Sequence, residues 1–345
     1  MTKRAIAIGL AAGWLAGAMG TAFAAPAAAT IPARELRPLV VEVQGRWRGD
    51  AIAYGPHRDG QRPRGASPTR AQVREDLAIL AKHYGLLRIY GAGEAGDTVL
   101  AAIRESGLGT KVLPGCWLAA EDRRDSTGRV LERFPAARAA NRREIDATVR
   151  LAKTYPDLVA AIAVGNETQV FWSANRLPAA RLIEALREVR ARTRVPVTTS
   201  DDYNFWNKPE SRAVAAACDF VSVHLHPLWN GTSLEGALPW VRAQFEAIRA
   251  AHPDRPVVIG ETGWATRRND QGDQGKLMKG ELGEDAQAAY VRALREWVAR
   301  ERVVTFTFEA FDENWKGSDD PNEVEKHWGL WRADRSPKRV VEVGP

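Results

Sequence analysis

Only two cysteines, Cys116 and Cys218, and six histidines occur in 345 residues, so neither a disulfide framework nor a multi-histidine metal cage has much to be built from. Long apolar runs are also missing beyond the N-terminus, and no later segment has the roughly 20 apolar residues that a membrane span needs. There is no low-complexity tract past the leader and no repeat of short fixed period, which excludes fibrous and solenoid architectures. The formal net charge of +6 comes from arginines scattered through helical stretches such as 181–194, without a basic cluster interleaved with aromatics. That distribution makes a solvated surface, not a nucleic-acid footprint. A glycine-rich phosphate turn is absent too: the first strand runs into Ala53-Tyr54-Gly55-Pro56-His57, which argues against a doubly wound nucleotide-binding sheet.

What is present starts with Lys3 and Arg4, an Ala/Gly/Leu-rich core to about Gly20, and Ala22-Phe23-Ala24. This order of basic start, short apolar core and A-x-A site is that of a secretory signal peptide. The expected organisation is a leader over residues 1–24, a disordered Ala/Pro stub over 25–38 and one catalytic domain over 39–345, in a secreted or periplasmic protein that works as a monomer.

From residue 47 onward short β-branched runs alternate with amphipathic stretches. Strands are expected at 47–53, 86–90, 111–117, 159–164, 196–200, 220–224, 256–260 and 303–308, with helical patterns such as 71–84, 139–155, 179–193, 234–251 and 284–301 between them. Eight strands with seven intervening segments in about 300 residues predict a single-domain (β/α)8 TIM barrel. Cys116 and Cys218 then fall on strands three and six, too far apart to bridge, and are expected as buried thiols.

Barrel enzymes carry their chemistry at the C-terminal ends of strands. Here those ends hold Tyr54, Arg88, Tyr90, Asn166, Glu167, Asp201, Asp202, His224, His226, Glu261, Trp264, Glu309 and Asp312. Glu167 terminates the apolar run of strand four and Glu261 that of strand seven; the 94 residues between them match three βα units of about 31 residues. Two carboxyl groups in different protonation states are what glycosidic cleavage requires, one to protonate the leaving oxygen and one to attack the anomeric carbon. Retention of configuration predicts that they lie about 5–5.5 Å apart.

Several segments together resemble glycoside hydrolase family 17, the β-1,3-glucanase family. They are Ala53-Tyr54-Gly55, Arg88-Ile89-Tyr90, Val164-Gly165-Asn166-Glu167, Glu261-Thr262-Gly263-Trp264, Phe311-Asp312-Glu313-Asn314-Trp315-Lys316 and Glu325-Lys326-His327-Trp328-Gly329-Leu330. The resemblance implies Glu167 as acid/base, Glu261 as nucleophile, Tyr90 and Asn166 as sugar contacts, and Glu313, Lys316 and Glu325 as polar support. His224-Leu225-His226-Pro227 and Asp201-Asp202-Tyr203 depart from the plant pattern and look like bacterial relatives, some of which elongate or branch glucans. A β-glucan is thus the expected partner and hydrolysis the expected reaction, with no metal and no cofactor. Glucosyl transfer and a non-catalytic glucan-binding barrel are the alternatives.

His226 is expected to hydrogen-bond substrate or Glu261. Tyr54, Trp264, Trp315 and Trp328 are candidate cleft residues, since aromatic faces stack on pyranose rings. Trp240 and Trp297, inside helical patterns, are expected to be packing residues. The charged segment 266–283 is a candidate lid.

Overall fold

The computed structural model describes residues 35–43 and 45–342, so the leader and the stub before Glu35 lie outside the described residues. Eight strands, β1 (Asp50–Ala53), β2 (Leu86–Ile89), β3 (Lys111–Cys116), β4 (Ile162–Asn166), β5 (Val197–Asp202), β6 (Val221–His224), β7 (Val257–Thr262) and β8 (Thr305–Thr307), close in sequence order into a barrel. Every neighbouring pair is parallel, including β8 on β1, where Phe306 faces Ala51. The (β/α)8 barrel read from the sequence is therefore the fold.

Alternation along the strands explains the two layers of core. One buried cluster takes Ala51, Leu86, Leu113, Ala163, Val258 and Phe306 from six of the eight strands, with Ala161 and Phe220 just ahead of β4 and β6, and fills the lumen. Their neighbours Ile52, Leu87, Val112, Ile162, Val221 and Ile259 point outward into a second cluster shared with the helices. Those helices are α1 (Arg70–Leu80), α2 (Glu94–Glu105), α3 (Pro135–Thr154), α4 (Ala179–Arg192), α5 (Leu234–Ala251) and α6 (Glu284–Glu301). Thr69 starts α1 with a capping box, its side chain accepting from Gln72 N while the Gln72 side chain accepts from Thr69 N. No described helix is long and apolar enough to cross a membrane.

Three local features depart from the sequence reading. Strand one begins at Asp50, because Arg46–Trp47 pairs antiparallel with Glu42–Val43 in a separate hairpin. A second hairpin, Asp122–Arg124 with Val130–Arg133, follows β3. Between β5 and β6 the helical segment is broken into the short turns Tyr203–Trp206 and Ser211–Ala215. At the start of the domain Leu39 and Val41 pack on the lumen cluster, and within the stretch read as a stub the Arg37 guanidinium donates to Val195 O at 2.9 Å and Arg190 O at 3.1 Å. Cys116 and Cys218 are buried and not bridged, Cys218 lying just ahead of β6 rather than on it.

Candidate active site

At the C-terminal mouth of the barrel the regular alternation breaks, and the breaks aim the carboxylates. In β7, Val258 faces the lumen and Ile259 faces out, so an unbroken strand would turn Glu261 outward; register shifts opposite Val223/His224 and between Ile259 and Thr262 redirect it. Gly260 is needed beside it, since an added Cβ would meet Ser222 Oγ at 2.3 Å and His224 Cδ2 at 3.2 Å. In β4 the shift lies between Ala163 and Asn166, and Glu167 adopts φ 48°, a left-handed conformation that its N–H bond to Ser200 O at 2.9 Å helps to hold.

Glu261 has an 8% exposed side chain and is surrounded by donors. Arg88 Nη1 lies 2.5 Å from its Oε1, Tyr90 donates its hydroxyl to the same oxygen at 3.0 Å, and His226 Nε2 is 3.2 Å from Oε2. Burial by itself would raise this carboxyl, but His224, Arg88 and His226 together hold it well below the usual range. Tyr90 is pushed well above its ordinary value by burial and then by Glu261, so it stays a hydroxyl donor. Glu167 is more open, its side chain 29% exposed. The fully buried His224 stands between the two: Nδ1 is 2.9 Å from Glu167 Oε1 and Nε2 is 3.3 Å from Glu261 Oε1.

A second buried charge cluster borders the first. Lys316 Nζ sits 2.8 and 2.6 Å from the Glu309 oxygens and 2.7 Å from Glu313 Oε2. Burial drives Glu309 well above the carboxylate range in spite of Lys316, whereas for Glu313 the Lys316 contacts overcome burial and lower it. Glu325 is raised, chiefly by burial.

Tyr90, Glu167, His226, Glu261, Glu313, Lys316 and Glu325 line a cleft of about 1890 Å³ at the barrel mouth, with Arg88, His224 and Glu309 behind its wall. A volume above the 300–1,000 Å³ of an ordinary small-molecule pocket suits an extended chain. Of the residues singled out from the sequence, Tyr90, Asn166, Glu167, His226, Glu261, Glu313, Trp315, Lys316, Glu325 and Trp328 come together on its walls. Asn166 Oδ1 accepts from Arg88 Nη2 at 2.6 Å, so Arg88 clamps the ends of β4 and β7 at once. Trp328 lies at the cleft wall but is fully buried, and its Nε1 and His226 Nδ1 are buried without a hydrogen-bond partner.

Two expectations are corrected. Trp264 is fully buried, stacked near Tyr290 with its Nε1 donated to Glu281 O at 2.8 Å, and it does not line the cleft. Tyr54 lies at the cleft wall but is fully buried, its hydroxyl donated to Asp76 Oδ2 at 2.9 Å within a network that Arg58 and Arg335 complete. Both are large rings at strand tips, and packing beneath the floor satisfies them better than water would. The 266–283 segment is tied to the loop after β8 through Asn269 Nδ2 to Asp320 Oδ2 at 2.6 Å and a Gln274–Glu323 bond, so its base is anchored.

The sequence reading passed over Arg88, His224 and Glu309 as site residues. Each had a signal: a cation inside the apolar Leu86-Leu87-Arg88-Ile89, a histidine closing Val221-Ser222-Val223, and a carboxylate just past β8. Among the described residues no group of three His, Cys, Asp or Glu side chains is arranged to hold a metal.

Known proteins share this arrangement of sequence and fold. A glucan 1,3-beta-glucosidase of Arthroderma benhamiae is 28% identical over 295 residues, 81% of this chain and 86% of its own. One from Schizosaccharomyces pombe is 26% identical over 277 residues, covering 76% and 78%. The crystal structure of an endo-laminarinase from Formosa superposes with a TM-score of 0.71 at 27% identity, over 85% of this chain and 86% of that one. At 21% identity and a TM-score of 0.66, a beta-1,3-glucanosyltransferase of Rhizomucor miehei shares the fold, over 85% of this chain and 97% of its own. The model of the BtgE/BtgC glycoside hydrolase domain matches residues 51–329, a span that holds all eight strands and every group around the two carboxylates, and the chain belongs to that family.

Proposed function

We propose that this glycosidase hydrolyses β-1,3-glucan with retention, Glu261 acting as nucleophile and Glu167 as acid/base. The observation that carries the reading is the contrast between the two carboxyls: Glu261 is buried and held anionic by Arg88, Tyr90 and His226, while the more open Glu167 is joined to it through one imidazole.

In the first step a Glu261 oxygen attacks the anomeric carbon, the glycosidic C–O bond breaks, and the Glu167 proton passes to the leaving oxygen. In the second, Glu167 takes a proton from water, the water oxygen bonds to the anomeric carbon, and the ester to Glu261 breaks. Arg88, Tyr90 and His226 then stabilise the carboxylate that is released. Residues 1–24 fit export of the enzyme to the substrate, which N-terminal sequencing of the mature protein tests.

The substrate class follows the relatives, whose names specify glucan 1,3-beta-glucosidase activity and laminarinase activity. The test is to incubate wild type and Glu261→Gln with a defined β-1,3-gluco-oligosaccharide, following products by mass spectrometry and the new anomer by NMR. Cleavage with a β-anomer formed first, lost in the variant, is expected. An α-anomer formed first would overturn the nucleophile assignment, and an intact substrate would overturn the glucan assignment.

A further inference from the structure

Large apolar side chains exposed to solvent are few among the described residues: Val40, Leu131, Phe171, Trp172, Leu277 and Trp315. Four of them, Phe171, Trp172, Leu277 and Trp315, line the one cleft. Solvated aromatics concentrated in this way mark a surface that a ligand covers. Trp315 belongs to the charged wall, where its Nε1 donates to Glu313 Oε1 at 2.9 Å and its ring meets His57. Phe171 and Trp172 are 65% and 50% exposed, and neither ring nitrogen nor backbone ties them to that wall.

They form a unit of their own. Their rings meet edge to face at 4.6 Å and 82°, and Lys208 Nζ lies 5.7 Å from the Phe171 centroid. The backbone under them is pinned: Asp201 Oδ2 accepts from Gln169 N at 2.8 Å and Oδ1 from Val170 N at 3.1 Å, while Leu177 N closes the loop on Thr168 O at 3.0 Å. A fixed loop that presents two rings is pre-organised for a flat partner. Asn175, Asn204 and Asn230 also line the cleft.

Position decides which partner. The pair stands four and five residues beyond Glu167, on the loop that Glu167 opens. The acid that protonates a leaving oxygen faces the departing part of the sugar chain, so the wall just past it belongs to the leaving group and to whatever enters after it. We propose that Phe171 and Trp172 are an acceptor platform that stacks the entering glucan units and turns the enzyme from hydrolysis toward transfer. This rests on the glucan reading above. In the transfer step Glu167 takes the proton of an acceptor hydroxyl, that oxygen bonds to the anomeric carbon, and the ester bond to Glu261 breaks, releasing a lengthened chain.

The test is the ratio of lengthened to hydrolysed products from a β-1,3-gluco-oligosaccharide with increasing laminaribiose, in wild type and in Phe171→Ala/Trp172→Ala. The ratio is internal to each sample and so independent of overall rate. It is expected to rise with acceptor in wild type and to fall about tenfold in the double variant, the loss of about 1.4 kcal/mol of stacking. Phe171→Tyr/Trp172→Phe, which keeps both faces, should retain it. Wild type that hydrolyses but never lengthens the chain, or an unchanged ratio in the alanine variant, overturns the platform.

Binding of laminaribiose to Glu261→Gln, with and without the two alanines, gives a second readout by calorimetry. If wild type cleaves no glucan, the glucan reading falls and the platform with it; if wild type cleaves glucan, weaker binding in the triple variant upholds the platform and equal binding overturns the platform alone. A wild-type dimer that the alanines dissolve would reassign the pair to a self-interface and overturn the proposal.

Discussion

The two walls of the cleft are made of opposite materials. Along β7 and β8 the wall is buried charge in contact with buried charge: Glu261 against Arg88, and Lys316 between Glu309 and Glu313. Past β4 it is exposed aromatic carbon on a loop held by Asp201. Fixed charges act most strongly where water is excluded, so the reacting groups need depth and many partners. Recognition of a chain that must enter and leave needs the reverse, an apolar face that water covers cheaply until a sugar replaces it. On the proposed assignment the wall that performs chemistry is stabilised by its own network, and the wall that binds is left incomplete.

Breaking the charged wall should give the largest effects. Glu167→Gln removes the proton donor and is expected to lower kcat on a glucan by on the order of 10²–10⁴-fold; on an aryl β-glucoside, whose phenolate leaves without a proton, azide should restore turnover through a glycosyl azide, since an anion needs no general base in the second step. Failure of azide to form that product would argue against a covalent intermediate. Lys316→Met leaves the buried Glu313 anion without its cation and should cost about 3–5 kcal/mol in denaturant unfolding. A smaller loss would mean that Glu313 takes up a proton once Lys316 is gone.

Trp264→Ala and Trp315→Ala sharpen the comparison between two tryptophans that look alike in sequence. The first empties a core position and should cost about 3–5 kcal/mol; the second, half exposed, should leave the melting temperature close to wild type and weaken oligosaccharide binding instead.

The smallest effect expected is on the pH dependence of stability. His226 is raised above its ordinary 6.5: burial opposes the charge, and the Glu261 contact outweighs it. A histidine raised by folding adds stability that is full below about 6.5 and is lost as pH rises through its higher folded value. Melting temperatures of wild type should therefore fall relative to His226→Gln as pH rises above about 6.5. Parallel curves would show that the His226–Glu261 contact is not an ion pair.

Much of this was legible beforehand because it is periodic or terminal. Strands of alternating burial at βα spacing read as a barrel, and an apolar run that ends in a bare glutamate reads as a carboxylate at the mouth. The aromatic residues were harder. Tyr54 and Trp264 both follow strands, but a ring at a strand tip either turns under the floor or faces the cleft according to neighbours that are remote in the chain. Asp76 and Arg335 cover Tyr54, and Glu281 caps Trp264. Arg88 was visible as a cation in an apolar strand, but nothing local tied it to Glu261, 173 residues away.

The sequence by itself determined the barrel, its strand count and the glutamates at the ends of β4 and β7, since hydrophobic period and strand length are local properties. Only the tertiary structure decided which side chains share a dielectric environment: that His224 touches both carboxylates, that Lys316 is shared by two others, and that Phe171 and Trp172 are left to solvent. The reason is geometric. Closure of the barrel and the register shifts at its mouth bring together ends of strands 57 to 173 residues apart, and burial, the quantity that sets charge and exposure, exists only after that closure.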